Sequence, residues 1–513
     1  MPLPTAVWSL DGSSVGFQTG FDAGLEVGGF VGVRTPAGDL LAVQVLELAV
    51  DQRDSLRLAV DTDLLGDAAS AAVERADIHF VMRFVRGEGS VLAAVDGATL
   101  SPAPAGGFQE GQLDPLRPSV LAALLAQGLG KSVGLPLGTV HGTDAEAALK
   151  AAGFSRHTFM VGQSGSGKTY SLGAILERLF VHTTLPIYII DPNSDYVHLG
   201  RLRPREAIAR RGKPPISTKG YAALKAGMKA AGEVVVARAD APHYRLAIHL
   251  SDLAVPEQAL TLDLDPLRDR GEYSAFVEAV DGLADRAHYG FADVADRLEN
   301  AIRFGDEHSV RLLQRMRNLR VADWEVWARP GEESLVTKLA GKRAVVLDTG
   351  SLSDARARSV ISLALLGTLR RRSQRSPLLL VVDEAHNVLA PDAPSALERA
   401  ITDYGVWIAG EGRKYGIHLV VSTQRPQKIH RNVISQCDNL VLMRMNSVAD
   451  IDELATIFSH VPPAMVAEAR SFTQGEMLVA GPIATPAVRI HCGERWCPEG
   501  GADLPTTWAQ PRA

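Results

Sequence analysis

One segment restricts the possible folds of this chain more than any other, the glycine-rich run at residues 162–169. It reads Gly-Gln-Ser-Gly-Ser-Gly-Lys-Thr, which is the pattern of a loop that wraps phosphate groups. A short apolar run at 157–161 precedes it, and residues 170–180 place apolar side chains at helical spacing, which predicts strand, loop and helix in that order. In that arrangement backbone N–H groups and the positive end of the helix face one anion. The sequence therefore predicts a nucleoside triphosphate site.

The loop residues have separable expected roles. Lys168 is expected to reach the β- and γ-phosphates, and Thr169 is expected to ligate Mg²⁺. ATP and Mg²⁺ are therefore the expected cofactors. The alternative is a glycine-rich turn that precedes Lys-Thr by chance, and the strand and helix on either side argue against it. The expected nucleotide contacts are Gly162, Gln163, Ser164, Gly165, Ser166, Gly167, Lys168, Thr169 and Tyr170.

Composition sets wider bounds. A chain of 513 residues is expected to hold two or three domains. Its net charge of −6 argues against a protein that coats DNA over its whole surface, but it allows a locally basic channel. Three cysteines exclude a disulfide scaffold, and we see neither a membrane-spanning apolar run nor a signal pattern. We therefore expect a soluble, cytoplasmic protein.

The N-terminal region, residues 1–100, has the alternation of short β-strands. Apolar and polar residues alternate at 30–34, 41–45, 78–85 and 90–95, and turn signals stand at 36–39 and 86–89. This predicts a small β-barrel or sandwich. Residues 101–142 are interpreted as a linker, a helix near 120–127 and a loop at 134–142.

From residue 143 to 490 the pattern is that of an α/β domain. Buried strands alternate with helices, which predicts a mostly parallel sheet, and residues 200–340 are interpreted as a helical insertion. Residues 491–513 are interpreted as a C-terminal tail. The expected core strands are 158–161, 187–190, 344–347, 378–382, 419–421 and 440–443.

Polar residues follow several of these strands. Asp191, Asp348, Asp383 with Glu384, and Gln424 each stand at or just beyond a strand end, where ligands bind in open α/β sheets. Asp383 is expected to hold Mg²⁺ and Glu384 to act as general base toward the attacking water. Gln424 is interpreted as a sensor of the γ-phosphate. Ordinary turn residues, or acids at a helix start, are the alternatives.

Two arginines compete for a further role. Arg413 lies in Gly-Arg-Lys-Tyr-Gly at 412–416, where a cation is expected either to cap a helix or to reach a neighbouring subunit's γ-phosphate. Arg444, just after a strand, is its rival. Basic runs at 201–213, 311–320 and 370–375 are candidates for DNA contact, although such runs are more often solvated faces.

Several motifs follow one another along the chain: Arg156-His157, the loop at 162–169, the motif at 191–196, and the segments 378–387, 412–416, 421–426 and 434–444. Asp383-Glu-Ala-His386 alone suggests DEAH-box helicases, but here the acidic box follows the phosphate loop much later than in those enzymes, and their arginine motif in a second core domain is missing. The ordered set resembles the motifs of the HerA-type family of hexameric DNA translocases. The resemblance covers about 155–200 and 340–480.

The resemblance implies a RecA-like core, a ring of six subunits and a central pore for duplex DNA. It implies that the barrel docks a partner, either a nuclease or, in antiphage operons, a sirtuin-like effector. It assigns catalysis to Glu384, Lys168 and Gln424, with Arg413 or Arg444 acting in trans, and it suggests that segment 508–511 crosses to the next subunit.

The expected function is therefore that of an ATP-driven DNA translocase or helicase in DNA end processing, repair or antiphage defence. Two alternatives stay open. One is a scaffold ring whose ATPase assembles and gates an effector with little DNA motion. The other is a secretion pump, which the lack of a membrane segment disfavours.

Overall fold

The computed structural model describes residues 5–55, 80–97, 99–103, 106–208, 215–372 and 376–501. The chain divides into two compact units. One comprises residues 1–130 with 459–468, and the other comprises residues 131–458 with 469–513.

The first unit is a β-barrel, one of the two folds that the alternation predicted. Its sheet order is β2-β1-β7-β3-β4-β5-β6, and a further pairing of β2 with β5 closes six of the strands into a ring. Helix α1, Pro118–Leu129, and a short helix at Pro463–Ala467 also belong to this unit. The strands are β1 (Ala6–Ser9), β2 (Ser14–Thr19), β3 (Phe30–Arg34), β4 (Leu40–Ser55), β5 (Phe80–Asp96), β6 (Thr99–Ser101) and β7 (Phe108–Pro115).

The barrel corrects two local predictions. The turn expected at 86–89 lies inside the long strand β5, because its glycine serves packing rather than chain reversal: a Cβ on Gly87 would lie 2.2 Å from Phe17 Cζ. Strand β7 lies within the predicted linker 101–142 and pairs with both β1 and β3. The predicted strand at 78–85 begins outside the described residues.

The second unit is built on an eleven-stranded sheet of order β12-β13-β11-β14-β15-β10-β16-β17-β18-β8-β9. Pairing is parallel from β12 to β16 and antiparallel from β16 to β9. All six predicted core strands are confirmed, whereas the loop predicted at 134–142 is wrong, since β8 occupies most of it. The strands are β8 (Gly134–Val140), β9 (Glu146–Lys150), β10 (His157–Val161), β11 (Ile187–Asp191), β12 (Val234–Ala237), β13 (Ala344–Asp348), β14 (Leu378–Val382), β15 (Ile417–Thr423), β16 (Cys437–Met443), β17 (Glu476–Gly481) and β18 (Ala484–Cys492).

The region 200–340 is mostly helical, as predicted, with one exception. The four residues of β12 form a parallel edge strand beside β13, so the region contributes to the sheet as well. No helix in the described part of the chain is both long and apolar enough to cross a lipid bilayer. The helices of this unit are α2 (Lys168–His182), α3 (Thr218–Ala231), α4 (Val255–Thr261), α5 (Arg270–Asp281), α6 (Phe291–Arg303), α7 (Glu307–Leu319), α8 (Leu335–Lys338), α9 (Ala355–Arg370), α10 (Ala396–Glu411), α11 (Arg431–Ile434) and α12 (Val448–Ile457).

Parallel register brings the carboxyl ends of the central strands to one edge. Val161, the last residue of β10, pairs with Thr423 of β15 and with Leu442 of β16. Val382, the last residue of β14, pairs with Val421. The residues that follow these strands therefore meet at one edge of the sheet, where the candidate site lies.

Candidate nucleotide site

The glycine-rich loop connects β10 to α2, as its sequence predicted. Gly165 and Gly167 have φ values of 74° and 91°, in the left-handed region that side-chain-bearing residues rarely adopt. Neighbouring strand ends hold the loop in place: the Gly475 N–H donates to the Ser166 carbonyl at 2.9 Å, and the Gln163 N–H donates to the Arg444 carbonyl at 3.0 Å. The loop is therefore fixed from both sides.

Lys168, the first residue of α2, is almost completely buried at the end of β14. Its Nζ lies 2.9 Å from Asp383 Oδ1, 3.0 Å from Ser422 Oγ and 3.1 Å from Glu384 Oε1. Burial alone would lower the pKa of Lys168, but the two carboxylates outweigh it and raise that pKa. The lysine therefore carries a full positive charge at the sheet edge.

Asp383 has a donor for each carboxylate oxygen and is completely buried. Ser422 Oγ donates to Oδ1 at 2.6 Å, and the Tyr196 hydroxyl donates to Oδ2 at 2.9 Å. Burial alone would raise the pKa of Asp383, but Lys168 and the hydrogen bond from Ser422 lower it, so the carboxyl is ionised.

Glu384 is held beside it in an unusual backbone conformation, with φ of 41°. Its Oε1 accepts a 2.7 Å hydrogen bond from Gln424 Nε2. Its Oε2 is buried and accepts no hydrogen bond from any described residue; the ring Nδ1 of His386 lies 3.3 Å from it. The structure thus brings the expected base and the expected sensor into direct contact.

Asp191 and Asp348 lie at the same edge but serve the loop that follows β11. Asp191 accepts the backbone N–H groups of Asp195 at 3.0 Å and Tyr196 at 2.9 Å, and burial raises its pKa to about 7. Asp348 Oδ1 accepts the Ser194 hydroxyl at 2.7 Å. These contacts are the turn-capping role that was the alternative reading for both residues.

The two candidate arginines occupy opposite edges of the sheet. Arg444 follows β16 and donates from Nη2 to the Gly165 carbonyl at 3.2 Å, so it contacts the phosphate loop of its own chain. Arg413 precedes β15, and its Nη1 lies 3.1 Å from Asp438 Oδ2, away from that loop. The structure does not bring Arg413 to the site of its own chain.

Several arginines of the basic runs pair with acidic side chains. Arg315 pairs with Asp269 at 2.9 Å and with Glu272 at 2.7 Å, which joins α7 to the start of α5. Arg371 pairs with Glu257 at 2.5 Å. These two arginines hold helices together, while residues 209–214 and 373–375 of the other runs lie outside the described ranges.

A cavity of about 920 Å³ opens beside the phosphate loop. Sequence reasoning identified one wall, the loop with Tyr170 and Gln424, but missed the other. That second wall comes from the ends of β8, β17 and β18 and from the chain after β18, which carry no motif. It consists of Thr139, Asp144, Thr473, Gln474, Gly475, His491, Cys492, Gly493, Glu494 and Glu499.

The predicted tail at 491–513 is partly integrated into this unit. Residues through Cys492 belong to β18, and Arg495 is completely buried against its own chain. Segment 508–511, expected to cross to another subunit, lies outside the described residues.

These features define a P-loop protein with a RecA-like α/β core: a parallel sheet, a glycine-rich loop before a helix, and an acidic pair at the end of β14, which one strand separates from the phosphate-loop strand. Within that class, comparison shows which family the chain is similar to. The model of the family described as "Helicase HerA, central domain" matches residues 135–367. Over these residues the chain is similar to the HerA-type family.

Several curated relatives share parts of the chain. A DNA double-strand break repair helicase HerA of Sulfurisphaera tokodaii is 26% identical over 30% of this chain and 32% of its own length. A probable helicase of Methanocaldococcus jannaschii is 21% identical over 64% of each chain. A DNA double-strand break repair helicase HerA of Pyrococcus furiosus is 31% identical over 22% of this chain and 20% of its own length. The chain thus spans about a third of the length of the first of these relatives.

Two solved structures are also similar. VirB4 of Thermoanaerobacter pseudethanolicus covers 71% of this chain and 96% of its own, with 16% identity and a TM-score of 0.46. The bacterial conjugative coupling protein TrwB covers 73% of this chain and 93% of its own, with 13% identity and a TM-score of 0.46.

Proposed function

We propose that the chain hydrolyses ATP with Mg²⁺ and uses the energy to move duplex DNA through a ring of six copies. The observation that carries the proposal is the convergence of Lys168, Asp383 and Glu384 within hydrogen-bonding distance at the end of β14. A cation, a metal-binding carboxylate and a base are what phosphoryl transfer to water requires.

The donor set suits Mg²⁺, which takes hard oxygen ligands. Thr169 and Asp383 would hold the ion, and the buried Glu384 Oε2 offers a further oxygen that no described residue satisfies. When bound, Mg²⁺ neutralises charge on the β- and γ-phosphates.

The chain's own residues then have distinct roles. Lys168 directs its charge at the phosphates, and Glu384 accepts the proton of the attacking water as general base. Gln424, which already donates to Glu384 at 2.7 Å, reports the state of that carboxylate to the segment after β15. Arg413, remote from the site of its own chain, completes the site of a neighbouring copy.

DNA as the object of the motor is supported by relatives described as DNA double-strand break repair helicases. The barrel unit is proposed to dock an effector, either a nuclease or a sirtuin-like enzyme, in DNA end processing, repair or antiphage defence. The relatives' names support repair, and the assignment to defence rests on the family resemblance.

Two measurements test this proposal. ATP turnover of the purified chain is expected to rise when duplex DNA is added, and the mass in solution with ATP is expected to be that of six copies. If duplex DNA leaves the rate of ATP hydrolysis unchanged in an assembled ring, translocation is refuted and the scaffold ring is favoured instead. A strict monomer would contradict a site completed by a neighbour.

A further inference from the structure

A buried chain of contacts connects the C-terminal segment to Asp383. We call residues 493–501 the C-terminal strap; Arg495 is its largest fully buried side chain, with no exposed surface. Arg495 Nη2 donates to the Asp195 carbonyl at 3.0 Å, and its guanidinium lies 5.6 Å from the centre of the Tyr196 ring. The Tyr196 hydroxyl in turn donates to Asp383 Oδ2 at 2.9 Å.

Glycines make room for this arrangement. A Cβ on Gly173 of α2 would lie 2.4 Å from Arg495 Cζ, so the guanidinium lies directly on the helix that begins at Lys168. A Cβ on Gly500 would lie 1.7 Å from the Ser194 carbonyl oxygen, and the Gly500 N–H donates to the Asp195 carbonyl at 3.1 Å. The strap therefore packs backbone to backbone on the loop that carries Tyr196.

The charge of Arg495 makes its placement specific. Glu177 Oε1 lies 3.6 Å from its Nε, and Glu499 Oε1 lies 3.4 Å from its Nη1. Glu177 also accepts the backbone N–H groups of Trp496 at 2.7 Å and Cys497 at 2.8 Å, so it anchors the strap directly after the arginine. A buried charge is costly without such partners, which leaves the guanidinium little freedom to shift.

Tyr196 is completely buried, and its hydroxyl donates to Asp383 Oδ2 at 2.9 Å. This hydrogen bond fixes one oxygen of the carboxylate, while Lys168 and Ser422 engage the other.

We propose that Tyr196 and Arg495 are positioning residues for Asp383: the strap holds the Tyr196 loop, and Tyr196 orients the carboxylate toward Mg²⁺. This inference rests on the function proposed above. Outer partners of a metal-binding carboxylate set its orientation and affinity, and losing one typically costs about 10- to 100-fold in metal affinity or activity.

The test measures binding of a fluorescent, non-hydrolysable ATP analogue to the full chain, with Mg²⁺ titrated in or removed by EDTA. Added Mg²⁺ is expected to strengthen binding of the analogue. In Tyr196→Phe, which keeps the ring, the Mg²⁺ concentration that gives half of this gain in affinity is expected to rise by about tenfold or more. Arg495→Lys is expected to raise this Mg²⁺ concentration as well. The double variant is expected to raise it no further than the more severe single variant does, because both residues act through Asp383.

Binding in EDTA is expected to stay at the wild-type level in all three variants. The control is Arg245→Lys, which disturbs an arginine that pairs with Glu332 at 2.5 Å in the same unit and is expected to leave the Mg²⁺ dependence unchanged.

The outcomes separate the two proposals. A wild-type chain that binds no analogue overturns the proposed function. If the wild type binds but Tyr196→Phe has the wild-type Mg²⁺ dependence, or weakens binding equally in EDTA, the positioning role is overturned while the function stands. Should Arg495→Lys fail to fold, Tyr196→Phe still decides.

Discussion

Lys168 Nζ lies 3.1 Å from Glu384 Oε1 and 2.9 Å from Asp383 Oδ1, so one buried cation faces both carboxylates. All three side chains are shielded from solvent, where an unpaired charge is far more costly than at the surface. The lysine assigned to phosphate binding is therefore also a structural counter-ion.

This dual role predicts a stability effect for Lys168→Met. Removing one partner of a buried ion pair typically costs about 3–5 kcal/mol, because the other charge is left uncompensated. The free energy of unfolding, measured by denaturant for the transition of the α/β unit, is expected to fall by about that amount. Adding Asp383→Asn to this variant is expected to restore part of the lost free energy of unfolding. If the double variant instead lost as much as the two single variants together, the pairing would be contradicted.

Glu384→Gln tests the assignment of the base. The amide keeps the shape of the side chain but cannot accept a proton, and general bases typically contribute about 10²- to 10⁴-fold in rate. Turnover of ATP is expected to fall at least about 100-fold while binding of the nucleotide persists. Asp452→Asn, at an exposed carboxylate of α12, is the matched control and is expected to keep turnover; surviving turnover in Glu384→Gln would assign the base elsewhere.

In the proposed ring, the opposite locations of Arg413 and Arg444 predict different behaviour when variant subunits are mixed. Arg413→Ala subunits keep an intact phosphate loop, and Lys168→Ala subunits keep Arg413, so mixing the two inactive variants is expected to restore part of the turnover. Arg444→Ala is expected to weaken nucleotide binding within its own subunit, since Arg444 contacts Gly165 of the same chain at 3.2 Å. Failure of the Arg413→Ala mixture to regain turnover would contradict the role of Arg413 in trans, and rescue of an Arg444→Ala mixture would contradict the role of Arg444 within its own subunit.

The helical region has a pH-dependent ion pair. Arg245 donates to Glu332 and lowers its pKa from 4.5 to about 2, although burial alone would raise it. Because the folded-state pKa is depressed, the stabilisation is present above pH 4.5 and is lost as pH falls toward 2. Glu332→Gln is therefore expected to be less stable than wild type at pH 7, with a difference that shrinks below pH 4.5 in thermal melting. A difference that is constant with pH would argue against the pair.

The barrel predicts its own sensitivity at Gly87. In Gly87→Ala the added methyl would meet Phe17 Cζ at 2.2 Å, and overpacking of this kind costs about 1–3 kcal/mol. Gly410→Ala is the control. A Cβ added at Gly410 would have no heavy atom of the described residues within 4 Å, and the residue lies on α10, where alanine favours the helix. In denaturant unfolding, Gly87→Ala is expected to have a lower free energy of unfolding than the wild type, and Gly410→Ala is not. If Gly87→Ala were as stable as the wild type, the Phe17 ring would be able to move aside.

Sequence patterns predicted the parallel core because its strands are runs of Val, Ile and Leu buried on both faces, with nothing in the chain that favours another element. They failed where residues have a role beyond their local segment. Gly87 and Gly89 have the composition of a turn, yet they lie within β5, where Gly87 gives the Phe17 ring its space. Strand β7 was hidden in a polar stretch because its pairing with β1 and β3 depends on residues about 80 or more positions away.

The sequence by itself determined the phosphate loop, the acidic pair at Asp383 and Glu384, and the neighbouring Gln424, because each lies immediately after a strand whose direction the pattern already specifies. Only the tertiary structure decided what surrounds them. Tyr196 reaches Asp383, Arg495 reaches Tyr196, and Arg444 rather than Arg413 contacts the loop of its own chain. Those contacts join segments hundreds of residues apart, and they depend on which strand ends share an edge of the sheet, a relation that no local pattern encodes.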